Sequence, residues 1–423
     1  MKNYTMFSDK ELKEIREKFY YVDEDITGTK RIYFDNAGGA FRLKSAEEAF
    51  HRIDRIPDCS ERQHKMALFL QDIEEQGRRD ASIIFNSQSG AIYPGYTASQ
   101  IMFDIIRVIS ENAPGSNMVT SILEHPSAFD SISNYALRHD CELRVATSNP
   151  LTGGVDAEEV IKLVDRDTAI LSVMGASNVS GYIYDINKIV TMAREINPDI
   201  YIIIDAVQHA PHGVLDVAAL PIDAMTIAPY KFYGVRGFGL AWLSDRVAKL
   251  AHHKLNGKKE SDWELGSPAP AHYAALTEIV NYVCGLGNAV ADKPLDRRSA
   301  FVAGMHRIEN QERGLLNILL NGSETTKGLR GMQGVHVCVD NPNLDERDLI
   351  IGIAFDNLSC EQAVREFEKH NIIVYERTSS SLYSRRMVQS FNIDGMIRVS
   401  PLHCNSRAEI EEFLRVTNEL THL

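Results

Sequence analysis

Between about residues 80 and 245, short runs of apolar residues alternate with stretches in which apolar residues recur every three or four positions. The runs are nearly continuous and rich in β-branched residues, which is typical of strands buried on both faces of a parallel sheet. The stretches between them have the period of amphipathic crossover helices. We therefore predict an α/β domain whose strands are drawn from the runs "ASIIFNS", "NMVTSIL", "CELRVAT", "TAILSVMG", "IYIIIDAV", "DAMTIAP" and "FGLAWLS".

The pattern changes after about residue 296. A long helical segment, "RRSAFVAGMHRIENQERGLLNILLNG", leads into strands that are grouped with a few helices, as in α+β domains. A chain of 423 residues is also longer than one hydrophobic core usually supports. We predict a large domain over residues 31–296 and a small domain formed by residues 1–30 and 297–423.

Composition and charge narrow the classes of function. With 44% hydrophobic and 24% charged residues, the chain has the composition of a globular protein. A formal net charge of −13 without any sustained Lys/Arg run argues against nucleic acid as a partner. No apolar run is long enough to span a membrane, and the charged start does not resemble a secretory signal. We expect a cytoplasmic protein that acts on a small molecule and has no membrane partner.

The six cysteines are scattered, and their spacing matches neither a common zinc signature nor a disulfide framework. We therefore expect no metal site. Buried, reduced thiols are the ordinary interpretation for such residues.

Polar residues follow four of the apolar runs, where a parallel sheet binds its ligands. They are His125, Asn178, Asp205 with Gln208, and Lys231. Taken singly, Lys231 is typical of a solvated turn and Asp205 of a helix cap. Together on consecutive strand ends they favour pyridoxal phosphate, because a lysine can hold its aldehyde as a Schiff base while a carboxylate keeps the ring nitrogen protonated.

Eight stretches that span residues 33 to 405 resemble, in order, the class V aminotransferase family of fold-type I pyridoxal phosphate enzymes. This group contains cysteine desulfurases, selenocysteine lyases, C–S lyases, kynureninases and isopenicillin N epimerase-like proteins. The resemblance implies a large domain with a mainly parallel seven-stranded sheet, a smaller α+β C-terminal domain, and a homodimer with shared active sites. The stretches are "YFDNAGGAF", "GYTASQ", "EHPS", "SNVSGYIYDI", "IIIDAVQHAPH", "APYKFYGVRGFG", "WELGSPAP" and "IRVSPLHCN".

The resemblance also implies a role for each strand-end residue. Lys231 forms the Schiff base and later moves the proton at Cα, and Asp205 contacts the pyridine nitrogen. Gln208 donates to the phenolic oxygen, and Asn178 reaches the same edge or the substrate carboxylate. His125 stacks on the ring and is assigned a catalytic role with Lys231.

The cofactor's phosphate needs donors at a helix N-terminus, which Gly95, Tyr96 and Thr97 would provide. Ser267 matches a residue that reaches the phosphate of the neighbouring subunit in this family. Tyr230 stands where the family often has a phosphate-binding His, and an alanine stands where it often has a Ser. We expect the hydroxyls of Tyr230 and Tyr96 to replace these groups.

The substrate side of the site is predicted from fewer residues. By the resemblance, Arg398 would grip the substrate carboxylate through two parallel hydrogen bonds, although alone it is more typical of a strand-edge salt bridge. Gly38 and Gly39 stand where relatives carry larger residues, and a missing Cβ would admit a bulkier substrate. The loop over residues 378–387 lacks the nucleophilic cysteine of desulfurases. It contacts a polar substrate or is a solvated loop, and Cys404 is expected to be structural.

The sequence thus predicts a pyridoxal-phosphate-dependent enzyme that acts on an L-amino acid through a Lys aldimine. A β-eliminating C–S lyase fits best, because elimination needs only the lysine and the electron sink. The alternatives are an aminotransferase or an epimerase of the same family. A non-catalytic pyridoxal-phosphate-binding relative is a further alternative, and the presence of Lys231, Asp205 and Arg398 argues against it.

Overall fold

Thirteen strands are found in a computed structural model that describes residues 4–423. The first three residues of the predicted small domain lie outside the described residues. In chain order the strands are β1 (Ile32–Tyr33), β2 (Ala91–Gly95), β3 (Asn117–Ser121), β4 (Glu142–Ala146), β5 (Thr168–Met174), β6 (Tyr201–Asp205), β7 (Ala224–Ile227), β8 (Gly239–Leu243), β9 (Val335–Cys338), β10 (Ile351–Phe355), β11 (Ile372–Ile373), β12 (Tyr375–Thr378) and β13 (Gly395–Val399).

The α-helices lie between these strands and at both ends of the described chain. They are α1 (Asp9–Arg16), α2 (Lys44–Asp54), α3 (Lys65–Phe85), α4 (Ala98–Asn112), α5 (Pro126–Arg138), α6 (Ala157–Ile161), α7 (Ile186–Ile196), α8 (Asp245–Ala248), α9 (Pro270–Asn288), α10 (Arg297–Asn321), α11 (Cys360–Lys369), α12 (Arg385–Ser390) and α13 (Arg407–Leu420). Among residues 4–423, none of the helices combines the length and the hydropathy that a membrane span requires.

The largest sheet has seven strands in the order β2-β8-β7-β6-β5-β3-β4. The five strands from β7 to β4 pair in parallel, and β8 pairs antiparallel with both of its neighbours. Strands β3 and β5 to β8 are buried at almost every position, which explains their continuous apolar runs. The predicted fold class, a mainly parallel seven-stranded sheet in an α/β protein, is confirmed.

One predicted strand is wrong. The run "ASIIFNS" is the last turn of α3, which ends at Phe85 with Asn86 in the left-handed conformation. Three apolar residues in a row, as in "IIF", are too few to distinguish a buried strand from the buried face of a long helix. The first strand of the large sheet is instead β2, whose run "AIYPG" contains a proline and a glycine.

A second sheet has four antiparallel strands in the order β12-β13-β10-β9. Helix α10 begins at Arg297, the first residue of the second part of the predicted small domain. Its first half buries Phe301 in the core of the large sheet, and its second half buries Leu315 in the core of the four-stranded sheet. The domain boundary near residue 296 stays a prediction, because this helix belongs to both cores.

The N-terminal segment contacts both parts of the protein. Ile15 and Phe19 pack into the core of the large sheet, whereas Arg16 pairs with Glu409 of α13 at 2.8 Å. The segment therefore joins the two cores, as α10 does.

Candidate active site

A cavity of about 360 Å³ opens at the carboxyl ends of the parallel strands of the large sheet. We call it the strand-end cavity. The structure brings all five predicted strand-end residues to it: His125, Asn178, Asp205, Gln208 and Lys231. Asp205 ends β6, and the other four come from the connections after β3, β5, β6 and β7, which is where a parallel sheet places its ligands.

Lys231 is held in the turn that follows β7. Its backbone N–H donates to the Ala228 carbonyl at 2.9 Å, and its Nζ donates to Gln208 Oε1 at 3.2 Å. Burial and the nearby Arg398 guanidinium lower the pKa of Lys231 to about 8. An appreciable fraction of the side chain is therefore the neutral amine near neutral pH, the form that attacks a carbonyl or accepts a proton.

Asp205 is the last residue of β6, and its side chain is buried beside Lys231. Its Oδ1 accepts the Val207 N–H at 3.1 Å. Burial raises the pKa of Asp205, and the positive charge of Lys231 acts in the opposite direction. A cationic ligand atom placed beside this carboxylate would offset the cost of burying its charge.

His125 follows β3 and caps α5. Its Nδ1 accepts the Ser127 N–H at 3.2 Å, which fixes the ring against the helix end. Burial and the charge of Lys231 lower the pKa of His125 to about 3. The ring is therefore neutral at physiological pH and presents a flat, uncharged face, which suits stacking on an aromatic ligand.

The N-terminus of α4 forms another wall of the cavity. Thr97 caps this helix by accepting the Gln100 N–H at 3.0 Å, and Tyr96, Thr97 and Ser99 line the cavity. Ser99 was missed in the sequence, and its Oγ lies 2.5 Å from Ser127 Oγ. Hydroxyls and free N–H groups at the start of a fifteen-residue helix favour an anion.

Gly95 ends β2 and does not line the strand-end cavity. A Cβ at this position would lie 2.9 Å from the Ile101 side chain. Its predicted contribution is therefore indirect, because its small size lets α4 pack close to β2.

Tyr230 lines the cavity and lies close to two arginines that the sequence analysis did not single out. The guanidinium of Arg236 lies 4.6 Å from the ring centroid of Tyr230, and Arg236 itself lines the cavity. Arg42 Nη1 donates to the Tyr230 carbonyl at 2.7 Å. The "APYKFYGVRG" stretch thus brings positive charge to the cavity as well as a hydroxyl.

Arg398 lies on β13 and is almost completely buried. Its Nη2 donates to Asp35 Oδ1 at 2.6 Å, its Nη1 donates to the Asn178 carbonyl at 3.1 Å, and its Nε has no partner among the described residues. The Oδ1 of Asn178 is also buried without a partner within that range. A substrate carboxylate would have to compete with Asp35 for Arg398.

Gly38 and Gly39 lie beside these charged groups and do not line the strand-end cavity. A Cβ at Gly38 would lie 3.0 Å from Asp35 Oδ2, and one at Gly39 would lie 2.9 Å from Arg236 Nη2. Their small size makes room for the Asp35 and Arg236 side chains. Whether it also widens the substrate site stays a prediction.

Ser267 does not line the strand-end cavity. It is exposed, and its Oγ donates to Glu61 Oε1 at 2.6 Å. It belongs to an adjoining depression that shares Tyr96, Gly237 and Phe238 with the strand-end cavity.

The loop over residues 378–387 carries exposed hydrophobic side chains, with Leu382 83% exposed. Within residues 4–423, no cysteine lines the strand-end cavity. Cys404 is completely buried, and burial raises the pKa of its thiol well above the usual range. A buried, protonated thiol is a poor nucleophile, which agrees with the predicted structural role.

Glu124 and Asp35 are two further acids that the sequence analysis missed. Glu124 is completely buried next to His125 and accepts the Ser121 hydroxyl at 2.6 Å and the Met174 N–H at 3.1 Å. Burial raises the pKa of Glu124 to about 8. Both acids closely follow apolar strands, in "VTSILEH" and "IYFD", so the same strand-end signal would have found them.

Known proteins resemble this chain in sequence and in fold. The model of the family described as aminotransferase class-V matches residues 32–413. A probable cysteine desulfurase of Borreliella burgdorferi is 23% identical over 426 residues, covering 95% of this chain and 94% of that protein. A cysteine desulfurase of Escherichia coli is 24% identical over 328 residues, covering 75% of this chain and 78% of its own length.

Among solved structures, the apo structure of a cysteine desulfurase from Thermococcus onnurineus NA1 is similar, with a TM-score of 0.81. It is 19% identical, and the match covers 99% of each chain. At this identity the likeness shows the fold alone.

Proposed function

Because the chain belongs to the class V aminotransferase family of pyridoxal-phosphate-dependent enzymes, we propose that it is a β-eliminating C–S lyase acting on an S-substituted L-cysteine. The match over residues 32–413 confirms the resemblance read from the sequence. The observation that carries the proposal is the meeting of Lys231, Asp205, Gln208 and His125 in one cavity that contains no cysteine among the described residues.

The donor set of the strand-end cavity fits the cofactor. Lys231 is the buried amine that would hold its carbonyl carbon, and Asp205 is the carboxylate that would face its ring nitrogen. The start of α4, with Thr97 and Ser99, would hold the phosphate. The unpartnered Oδ1 of Asn178 indicates that a polar ligand group completes this wall.

Pyridoxal phosphate, when bound, supplies an electron sink that stabilises negative charge at the Cα of an amino acid. The residues of this chain do the rest. Arg398 and Asn178 would orient the substrate carboxylate, and the neutral ring of His125 would lie against the cofactor face. The neutral Lys231 amine would accept the Cα proton.

Loss of that proton allows the Cβ–S bond to break with its electron pair on sulfur. The sulfur takes up one proton and leaves as a thiol. The remaining 2-aminoacrylate reacts with water to give pyruvate and ammonia, so the overall reaction consumes one water molecule. No side-chain thiol is needed at any step.

Sulfur transfer through a persulfide is disfavoured by the loop over residues 378–387. The loop has no cysteine in its sequence, and Cys404 is buried and protonated. The proposal therefore departs from the activity named for the desulfurase relatives.

We also propose that the protein is a homodimer. The depression that contains Ser267 adjoins the strand-end cavity, and exposed apolar side chains surround it: Tyr96 is 78% exposed and Leu265 is 63% exposed. Ser267 does not line the strand-end cavity of its own chain. A second copy packed on this face would bring its own Ser267 towards the phosphate. Sedimentation of the purified protein at micromolar concentration tests this proposal, and a monomer would contradict it.

The function is tested with the cofactor-loaded protein and a panel of S-substituted L-cysteines. Pyruvate and thiol should form in equal amounts without any added keto acid. Transfer of the amino group to a keto acid, or loss of chirality without bond cleavage, would replace the proposal with an aminotransferase or an epimerase. Lys231→Ala is the control that removes the reacting amine and leaves the fold intact.

A further inference from the structure

A line of buried polar contacts runs from Lys231 away from the cavity into the core. Lys231 Nζ donates to Gln208 Oε1 at 3.2 Å, and Gln208 Nε2 lies 3.4 Å from His212 Nε2. His212 Nδ1 lies 2.7 Å from Glu312 Oε2. All four side chains are at most 8% exposed. Lys231 and Gln208 line the strand-end cavity, whereas His212 and Glu312 lie behind them and have no role in the proposed mechanism.

The local backbone explains why Gln208 and His212 meet. The chain turns after β6, with the Ala210 N–H donating to Ala206 and the Gly213 N–H donating to His209. Residues four apart in such a turn lie on the same side. The Nε2 of His212 is therefore directed at the Gln208 carboxamide.

Glu312 holds the other end of the line. It lies in α10, and both of its oxygens are used, because Oε1 accepts the His403 N–H at 3.0 Å while Oε2 faces His212. Glu312 and Asp348 raise the pKa of His212 in spite of its burial. A buried acid and a buried imidazole are tolerated only when each satisfies the other. The ring of His212 is consequently fixed in orientation.

We propose that His212 and Glu312 are positioning residues that hold the Gln208 carboxamide against Lys231. In its neutral form, with Nδ1–H donated to Glu312, His212 presents Nε2 as an acceptor for the Gln208 N–H. The Gln208 carbonyl oxygen is then turned towards the Lys231 amine, as observed. The catalytic importance of this contact rests on the proposed function, in which Lys231 is the reacting group.

The same turn provides a matched control. His209 lies next to Gln208 in sequence, and its Nδ1 lies 3.0 Å from Asp348 Oδ2, so it is also a histidine paired with a carboxylate. Within residues 4–423, the His209 ring makes no hydrogen bond to Gln208 and does not line the strand-end cavity. If loss of a histidine only destabilised the fold, variants of His209 and of His212 should both alter the reactivity of Lys231. If the loss displaces the Gln208 carboxamide, only the His212 variant should alter it.

The substitution His212→Asn removes only the contact in question. An asparagine amide occupies the place of Nδ1 and keeps the contact with Glu312, whereas nothing remains at the place of Nε2. His212→Gln restores a polar group near Nε2. Asp205, Arg377 and Arg398, which also act on the pKa of Lys231, are unchanged in both variants.

The experiment measures how readily Lys231 of the cofactor-free protein is acetylated by acetic anhydride as a function of pH. Mass spectrometry of the peptide that contains Lys231 provides the readout. When Gln208 Oε1 no longer accepts from Lys231, the ammonium form of Lys231 is less stable. A larger fraction of Lys231 is then the neutral, reactive amine at a given pH. We expect His212→Asn to raise the labelling rate at pH 7 about threefold. The labelling rate of His212→Gln should lie between those of His212→Asn and the wild type, and the labelling rate of His209→Asn should equal that of the wild type.

A double-mutant cycle with Gln208→Ala sharpens the result. If His212 acts through Gln208, then adding His212→Asn to Gln208→Ala produces no further change. Equal labelling of His212→Asn and His209→Asn would overturn the proposal, as would additive effects in the cycle. If His212→Asn does not fold, Glu312→Asp, which shortens the support of the ring, should shift labelling in the same direction. Attachment of pyridoxal phosphate to wild-type Lys231, followed separately by visible absorption, tests the proposed function and does not depend on this outcome.

Discussion

The predicted active site has two walls, the lining of the strand-end cavity and the predicted substrate side, and they are built in different ways. The wall that would hold the cofactor consists of residues that directly follow strands of one buried sheet, such as Asp205 and Lys231. The predicted substrate side is Arg398 with the loop over residues 378–387, which belong to or follow strands of the four-stranded sheet. These residues do not line the strand-end cavity themselves, and Arg398 contacts it through the carbonyl of Asn178. The first wall has the rigidity that proton transfer at a fixed atom requires. The second can change its side chains without disturbing the parallel sheet, which suits selection of the substrate.

One arginine ties the two walls together. Arg386 of α12 donates to the carbonyls of Ile122 and Glu124, just after β3, and its guanidinium lies 3.8 Å from the Phe129 ring centroid. The loop is thereby attached to the edge of the large sheet next to His125. The following predictions separate the contributions of the two walls.

Removing the reacting amine should have the largest effect. Lys231→Ala removes both the covalent attachment point and the proton acceptor, so we expect kcat to fall about 10⁴-fold or more. Pyruvate release measures the effect. The exposed Lys254 gives the matched control, since Lys254→Ala should retain full activity. Substantial turnover by Lys231→Ala would show that another group is the base.

The charge of Asp205 should matter next. Asp205→Asn keeps the size of the side chain but cannot carry the negative charge that faces the ring nitrogen, so we expect kcat to fall about 10²- to 10³-fold. Asp205→Glu should recover part of this loss. If the Asn variant were as active as the wild type, the ring nitrogen would not need a charged partner.

The first wall should also carry a cost in stability that depends on pH. Burial raises the pKa of Glu124 above its unfolded value to about 8. Between these two values the unfolded chain has released a proton that the folded chain still holds, so stability is lost as pH rises from about 4.5 to 8. A glutamine does not titrate, so the free energy of unfolding of Glu124→Gln should fall by roughly 2 to 4 kcal/mol less than that of the wild type over this pH range. Thermal unfolding at pH 5 and pH 8 measures it, and a gap between the two proteins that does not change with pH would contradict the assignment.

On the second wall, Arg398→Lys should weaken substrate binding. A lysine cannot make the two parallel hydrogen bonds of a guanidinium, so we expect KM to rise about 30-fold with a smaller change in kcat. Asp35→Asn is the informative companion, because it removes the competitor for Arg398 and should lower KM. If Arg398→Lys lowered kcat with KM unchanged, Arg398 would act on the reaction step and not on substrate binding.

The smallest effect is expected where the walls are joined. Arg386→Ala releases α12 from the carbonyls that follow β3 and should raise KM about three- to tenfold while the visible spectrum of the bound cofactor stays the same. A changed spectrum would mean that the loop also shapes the cofactor wall. Leu382→Ala, at an exposed position of the same loop, provides the control.

The sequence predicted the first wall better than the second, for physical reasons. Asp205 and Lys231 follow continuous apolar runs, and the geometry of a parallel sheet then places them at one edge. Arg398 was found as a residue, but its contact with Asp35 joins positions 363 residues apart, and no local pattern indicates such a pairing. The run "ASIIFNS" was misassigned because its four apolar residues fit a strand and a helix equally well. Arg236 was missed because a glycine-rich turn does not reveal where a long side chain points.

The most direct test of the account follows the carbon skeleton of the substrate. Cofactor-loaded protein is given ¹³C-labelled L-cysteine and S-methyl-L-cysteine, and the products are identified by NMR. Elimination driven by Lys231 predicts pyruvate from the S-substituted substrate, with one equivalent of thiol and of ammonia and no alanine. Alanine as the labelled product would mean that sulfur leaves by transfer to an acceptor, and it would contradict the claim that this cavity performs β-elimination.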